Sequence, residues 1–264
     1  MNQIVLIANF AYPHAQCLLS TYVRCDNVHL VLIGTSLDAL LLADRLASDH
    51  TITMIEIEAE IGMPVHHPGR FLDKTQCSAY FTEQQQEFFA LKQNPDGWGC
   101  RWEWVLKFLS HRVAAKGVTC LIRTRVLDAS SDESGHVLHL SENERNQPST
   151  LMADLVIDCS TNEKTPGLRK HNLEAANILP YTYGELALWH GMIVLQSDLH
   201  EPSGAVLTLG RADGLTELWW NHEPEWTPTN GALEQCETYL PSSERELSFD
   251  AAVARTSGFI DQHL

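Results

Sequence analysis

Residues 29 to 65, HLVLIGTSLDALLLADRLASDHTITMIEIEAEIGMPV, set out in order an apolar run, a glycine, an apolar helix, a second apolar run and an acid. Few folds accept that order. Strands of continuous apolar character are buried on both faces, as in a parallel sheet, and parallel neighbours need a crossover that is usually a helix. The unit is a βαβ, with a defined electrostatic use. Its helix N-terminus offers unpaired N–H groups to a diphosphate, and a carboxylate after the second strand meets a ribose. Gly34 opens the turn, and Glu56 stands 22 positions later, close to the spacing a ribose acid needs. The glycine pattern itself is altered. Where G-x-G-x-x-G is expected, the chain reads Gly34-Thr35-Ser36-Leu37-Asp38-Ala39.

Charge and apolar content narrow the partners. A net charge of −16 opposes association with nucleic acid or an anionic membrane surface. Nine carboxylates and one base, Arg245, lie between Asp213 and Asp250, which reads as a solvated face or an acidic docking surface. The longest apolar stretch, within Leu37–Leu46, is broken by Asp38, Asp44 and Arg45 and is too short to span a bilayer. The N-terminus, MNQIVLIANFAYPH, lacks a basic n-region and a small-residue cleavage site, so the expected location is cytoplasmic. Seven cysteines, none spaced C-x-x-C, read as reduced thiols. His66 and His67 are adjacent and point to opposite sides of an extended chain, so no metal site is expected.

Residues 3–8 read as a short strand in an N-terminal extension, 1–28, that would add an edge strand. The helix of the βαβ unit is expected over 37–47. A long connection over 58–99 follows, with one helix at 82–92. At 101–116, Trp102, Val105, Leu106, Leu109 and Val113 fall at helical spacing, and Gly117 ends the helix. Strands are expected at 118–123, 125–129 and 136–141, with SSDESG turning between the last two. A polar loop at 142–150 leads to a buried parallel-type strand, DLVIDC, at 154–159. Beyond Pro180, aromatic-rich strands at 187–196, 205–209 and 215–221 are followed by a helix at 232–240. The expected domains are the extension 1–28, a Rossmann-type dinucleotide-binding-like domain 29–175 with an inserted β-meander, and a β-rich substrate-type domain 176–264.

Four segments carry a resemblance. LVLIGTSLDALLLADRL, ITMIEIEAEIGMPVHHPG, CRWEWVLKFLSHRVAAKGV and MADLVIDCSTNEKTPG together resemble the aromatic-hydroxylase and geranylgeranyl-reductase group of FAD-dependent oxidoreductases. They are similar to that group's first strand, turn and helix; its second strand, ribose acid and E-I-G-x-P-V stretch; its helix opening on a cofactor-contacting Arg; and its A-D-L-V-I-D-A-T-G strand. At G-T-x-L the chain also resembles the Rab-escort and GDP-dissociation-inhibitor proteins, which keep the fold without the flavin. The resemblance implies an α/β flavoprotein-like fold, FAD as cofactor and contacts at Gly34, Ser36, Ala39, Glu56, Arg101 and Asp158. The departures concern the flavin. Ser36 stands where backbone should approach the diphosphate, Asp38 adds a carboxylate that would repel it, and Thr161 replaces a glycine. No Gly-Asp motif follows to hold the ribityl and phosphate groups, and the chain is expected to be truncated before that segment.

Each candidate has a plainer reading beside it. Glu56 could be a strand-end surface acid, Arg101 an exposed helix-terminal Arg, and Cys159 and Ser160 an ordinary strand end. Trp189, Trp219, Trp220 and Trp226 line an apolar substrate face or pack the sheet. Arg211 and Asp213 sit in a GRADG hairpin turn with no chemistry expected. No catalytic acid or base is singled out, because in such enzymes the isoalloxazine does the redox chemistry. Two functions remain: an FAD-type oxidoreductase acting on an apolar or aromatic small molecule, and a cofactor-free binding or accessory subunit. Either is expected as a homo-oligomer or with a protein partner.

Overall fold

The computed structural model describes residues 27–62, 65–141, 148–160, 171–173, 177–200 and 203–264. The expected strand at 3–8 and edge-strand extension, most of the 142–150 loop, and Thr161 lie outside them. The chain builds around β1, His29–Ile33, which pairs in parallel with β2, Thr51–Ile55, on one side and β10, Leu155–Asp158, on the other. With β6, Thr119–Leu121, and β11, Leu179–Pro180, these form a five-stranded parallel sheet in the order β11-β10-β1-β2-β6. The sequence order is thus realised with all three core runs side by side. Val31 and Ile33 face one layer and Leu30 and Leu32 the other, and none exceeds 1% exposure. Two-sided burial is why these strands read as unbroken apolar runs rather than alternating ones.

One face is covered by helices. α1, Leu37–Leu46, packs beneath the sheet and against two others. These are α4, Trp102–Ala115, and the C-terminal α5, Phe249–His263. The short α2, Lys74–Tyr80, and α3, Glu83–Gln86, lie between. Sandwiching between sheet and helices explains why α1 is apolar on most sides. Its two acids each meet a base from a neighbour: Asp44 pairs with Arg112 and Lys116 of the α4 end, both at 2.7 Å, and Asp38 with Arg255 of α5. The other face of the parallel sheet is covered by a meander of β7, Val126–Asp132, β8, Gly135–Leu140, and β9, Thr150–Ala153. The β7–β8 turn is tighter than SSDESG implies, because pairing continues to Asp132 and Gly135.

The later half is an antiparallel sheet. It contains β12, Leu186–Leu195, β13, Leu207–Gly210, β14, Leu215–Trp220, and β15, Glu234–Pro241, in the order β13-β14-β12-β15. Trp189 and Trp219 join one buried cluster with Leu207, Leu209 and Leu247, while Trp220 joins Met192, Val194 and Leu218 on the opposite face. A small sheet of β3, Arg70–Phe71, β4, Lys92–Asn94, and β5, Gly97–Gly99, bridges the two halves.

Two expectations are corrected. The helix at 232–240 is instead strand β15, paired with β12 along its whole length. The single helix at 82–92 divides into α3, a 3-10 turn at Glu87–Phe89 and the start of β4, with Ala90 in the left-handed region at φ 49°. The sequence did not point to α5, which returns from the β-rich half to pack on α1.

Candidate functional site

The C-terminal ends of β1, β2 and β10 meet at the turn into α1. Gly34 holds φ +94°, and its N–H donates to Ile55 O at 2.8 Å. A Cβ there would lie 3.2 Å from Ser160 N, so both conformation and space require glycine. Ser36 is the N-cap of α1. Its Oγ accepts from Ala39 N at 3.3 Å and lies 3.3 Å from Tyr183 Oη. Glu56 follows β2 and is buried. One carboxylate oxygen accepts from Thr35 Oγ1, the other from Glu58 N at 3.1 Å, and Thr35 Oγ1 itself accepts from Gly62 N at 3.0 Å. Asp158, at the end of β10, accepts from Ser160 N at 2.9 Å and Ser160 Oγ at 2.6 Å. Burial pushes the neighbouring Cys159 thiol well up, so it is not a thiolate nucleophile.

Asp38 does not face a diphosphate as a bare charge. It is buried, and Tyr181 Oη donates to its Oδ1 at 2.9 Å. Arg255 Nε and Nη2 donate to Oδ1 and Oδ2, both at 3.1 Å. The expected repulsion is therefore corrected: the carboxylate is neutralised by α5 and turned into an inter-element tie. Arg255 also lies 5.2 Å from the Tyr183 ring. Burial, first, and the Asp38 charge push the Tyr181 and Tyr183 phenols up, so both stay protonated. Gly34, Ser36, Ala39, Glu56 and Asp158 are thus brought together. Thr35 and Tyr183, which the sequence did not single out, meet Glu56 and Ser36, and Tyr181 and Arg255, likewise unforeseen, hold Asp38.

Arg101 stands elsewhere. It precedes α4, where its Nε donates to Glu103 at 2.7 Å and approaches Asp213 at 4.0 Å, on the wall of a cavity of about 670 Å³. The cavity lies between the start of α4, the segment around His67 and one face of the antiparallel sheet. Gly191 forms part of its floor. A Cβ there would sit 2.6 Å from Trp219 Cη2 and 2.8 Å from Cys236 Sγ, so the edge of the indole closes over the glycine.

Glu217 is buried in the same wall. It accepts from Gly69 N at 2.9 Å and Arg211 Nη1 at 3.3 Å, and Arg211 also holds Asp213 bidentately at 2.6 and 3.2 Å. The GRADG turn does join β13 to β14, but its arginine is a buried ion-pair centre. Burial pushes the Glu217 carboxyl up to about 7, against the opposing pull of Gly69 N–H and Arg211. Trp219 Nε1 lies near that carboxyl outside hydrogen-bonding geometry and has no partner among the described residues. His67 stacks on Trp102, centroids 5.1 Å apart and planes within 13°. Its Nδ1 lies 2.8 Å from Pro68 O. A carbonyl only accepts, so Nδ1 carries the proton and buried Nε2 keeps a bare lone pair without a partner among the described residues. Burial holds this imidazole down to about 4.

No family model and no curated protein matches the sequence. Solved structures do. The chain is similar to a geranylgeranyl bacteriochlorophyll reductase-like protein from Thermoplasma acidophilum, at 14% identity over 90% of this chain and 62% of that one, TM-score 0.52. It is similar to glycine oxidase from Geobacillus kaustophilus, at 10% identity over 90% and 94%, TM-score 0.52. It is also similar to p-nitrophenol 4-monooxygenase from Pseudomonas putida, at 11% identity over 82% and 69%, TM-score 0.53. This chain spans 62% of the length of the reductase-like protein. The fold is therefore the Rossmann-type, FAD-binding flavoprotein fold, with a parallel sheet and antiparallel companions. No helix among the described residues is long and apolar enough to cross a membrane.

Proposed function

We propose that this chain is a cofactor-free variant of the flavoprotein fold that binds a small, largely apolar molecule in the sheet cavity, alone or as an accessory subunit. One observation carries the reading: the groups a dinucleotide would use are taken by the chain itself. Each Glu56 oxygen already has a donor, in Thr35 and in Glu58 N. The Ser36 hydroxyl takes the Ala39 N–H of the first helical turn, and Tyr183 stands beside it. A diphosphate would have to compete with an N-cap beside a buried tyrosine, and a ribose would have to share Glu56 with Thr35 and the Glu58 N–H. These residues do not fit FAD, and no step through a flavin is derived.

The FAD-type oxidoreductase is the second reading. Gly34 keeps the left-handed turn, and Glu56 and Asp158 keep their places at the strand ends. The similar structures carry reductase, oxidase and monooxygenase names, and their chemistry would pass to this chain only with the cofactor. The visible absorption spectrum of the purified protein, before and after adding FAD, decides between the two. The proposal expects a colourless protein with no bound flavin after gel filtration; flavin bands retained through that step would overturn it.

A further inference from the structure

The cavity wall carries four carboxylates, Glu103, Asp213, Glu217 and Glu234, against two guanidiniums, Arg101 and Arg211. Both cations are engaged. Arg211 spends three N–H groups on Asp213 and Glu217, and Arg101 donates to Glu103. The histidines add no charge at neutral pH, because burial lowers both His66 and His67. The wall therefore has an excess of carboxylate, and an entering anion would find no unpaired buried cation to receive it. The rest of the described lining is mostly apolar and aromatic, including Trp102, Trp219, Met192 and Leu233, with Gln235 as a neutral polar group.

We propose that this cavity selects an organic cation, a protonated amine on an apolar or aromatic body. The proposal rests on the reading that the cavity is the ligand site. It holds whether or not the α1 crevice takes a cofactor. A positive charge a few ångströms from an unmatched carboxylate, at the effective dielectric of a protein site, gains roughly tenfold or more in affinity over a neutral analogue. An anion loses by a comparable factor. Indole faces add attraction for a cation.

Glu217 gives the selection a pH signature. It is the wall carboxyl held near half-ionisation at neutral pH. From its own hairpin it faces Arg211 and Asp213, and from the 65–69 segment His67 and the Gly69 N–H. From the start of α4, Cys100, Arg101 and Glu103 flank it, and from β15, Glu234 and Cys236. A bound cation favours its ionised form, so amine binding releases a proton and tightens as pH rises through about 7.

Calorimetric titration of the whole chain with tryptamine, tryptophol and indole-3-propionate tests this, since the three share a ring and differ in charge. Tryptamine is expected to bind tightest and the propionate at least about tenfold weaker, with the gap wider at about pH 8 than at about pH 6. Glu234→Gln, an exposed change, should narrow the gap by roughly two- to threefold, and Glu217→Gln should remove its pH dependence. Equal affinities, a preference for the anion, or no binding of any of the three would overturn the proposal. A protein that retains FAD and still prefers tryptamine would overturn the cofactor-free reading and leave this one standing.

Discussion

At the N-terminus of α1, Thr35, Ser36, Asp38, Glu56 and Asp158 all have partners from the chain itself, three of them, Tyr181, Tyr183 and Arg255, drawn from its last third. In the wall of the sheet cavity the balance is reversed. Glu217 is held near neutrality by burial, and Trp219 Nε1 and His67 Nε2 are buried without partners among the described residues. Polar groups that already have partners add rigidity and leave a ligand less to gain. Unsatisfied ones cost about 1–3 kcal/mol each and persist where something else is at stake. On the proposed reading, hydrogen bonds from the chain itself seal the place at the α1 N-terminus while the sheet cavity on the same scaffold stays chemically open.

The largest expected effect breaks the sealed side. Arg255→Ala leaves the Asp38 charge buried with only Tyr181, and should cost about 3–5 kcal/mol in urea unfolding. Adding Asp38→Asn should recover part of the loss. A cost below about 1 kcal/mol would show that the tie is not what holds α5 to α1.

Next comes the open side. Glu217 titrates at about 7 when folded against an ordinary 4.5. The folded chain therefore keeps a proton that the unfolded chain releases between these values. Stability from this group falls as pH rises from about 4.5 to about 7, by about 3 kcal/mol, and the loss is complete above that. His67, held at about 4 against 6.5, runs the other way: its contribution rises as pH rises from about 4 to about 6.5. The difference between wild type and Glu217→Gln isolates the carboxyl. The variant should gain on the wild type by about 3 kcal/mol between about pH 5 and about pH 8. A pH-independent difference would mean Glu217 is ionised throughout. Gly191→Ala should then cost about 1–3 kcal/mol, because the added methyl meets the Trp219 ring at 2.6 Å and must tilt it into the cavity.

The sealed side was the more legible in sequence, though only its frame was. β1, β2 and β10 are unbroken apolar runs because both faces are buried, and Gly34 is the one residue type its turn accepts. The sealing was not legible. Asp38 meets Tyr181 and Arg255 from 143 and 217 positions away, distances no local pattern carries. α5 was missed because its buried stripe is Phe249, Ala252 and Thr256, with one small residue and one polar one. β15 was mistaken for a helix because Ala232, Leu233, Cys236 and Leu240 fall near helical spacing. Pairing with β12 over eight residues overrides that local pattern. On the open side, an alternating strand such as LTELWW does not say which face is buried. Glu217 therefore read as an ordinary surface acid until its partners at Gly69 and Arg211 were in place.

The smallest changes sharpen the comparison most. Thr35→Ala removes one Glu56 donor and should cost about 1 kcal/mol. Ser36→Gly restores the second fingerprint glycine at a cost of only a few tenths of a kcal/mol, since glycine is itself a tolerated N-cap. If the crevice is sealed by several side chains together, Ser36→Gly alone should leave FAD binding undetectable, because Thr35 still holds Glu56 and Tyr183 stays in place. Combining it with Thr35→Ala and Tyr183→Ala should open the site and give measurable quenching of flavin fluorescence on titration. The two outcomes separate two histories of the crevice. If Ser36→Gly by itself makes the protein retain FAD, one lost glycine is the whole defect and the surrounding contacts are incidental. If only the combined variant does, the crevice has been filled residue by residue, as the geometry of its hydrogen bonds implies.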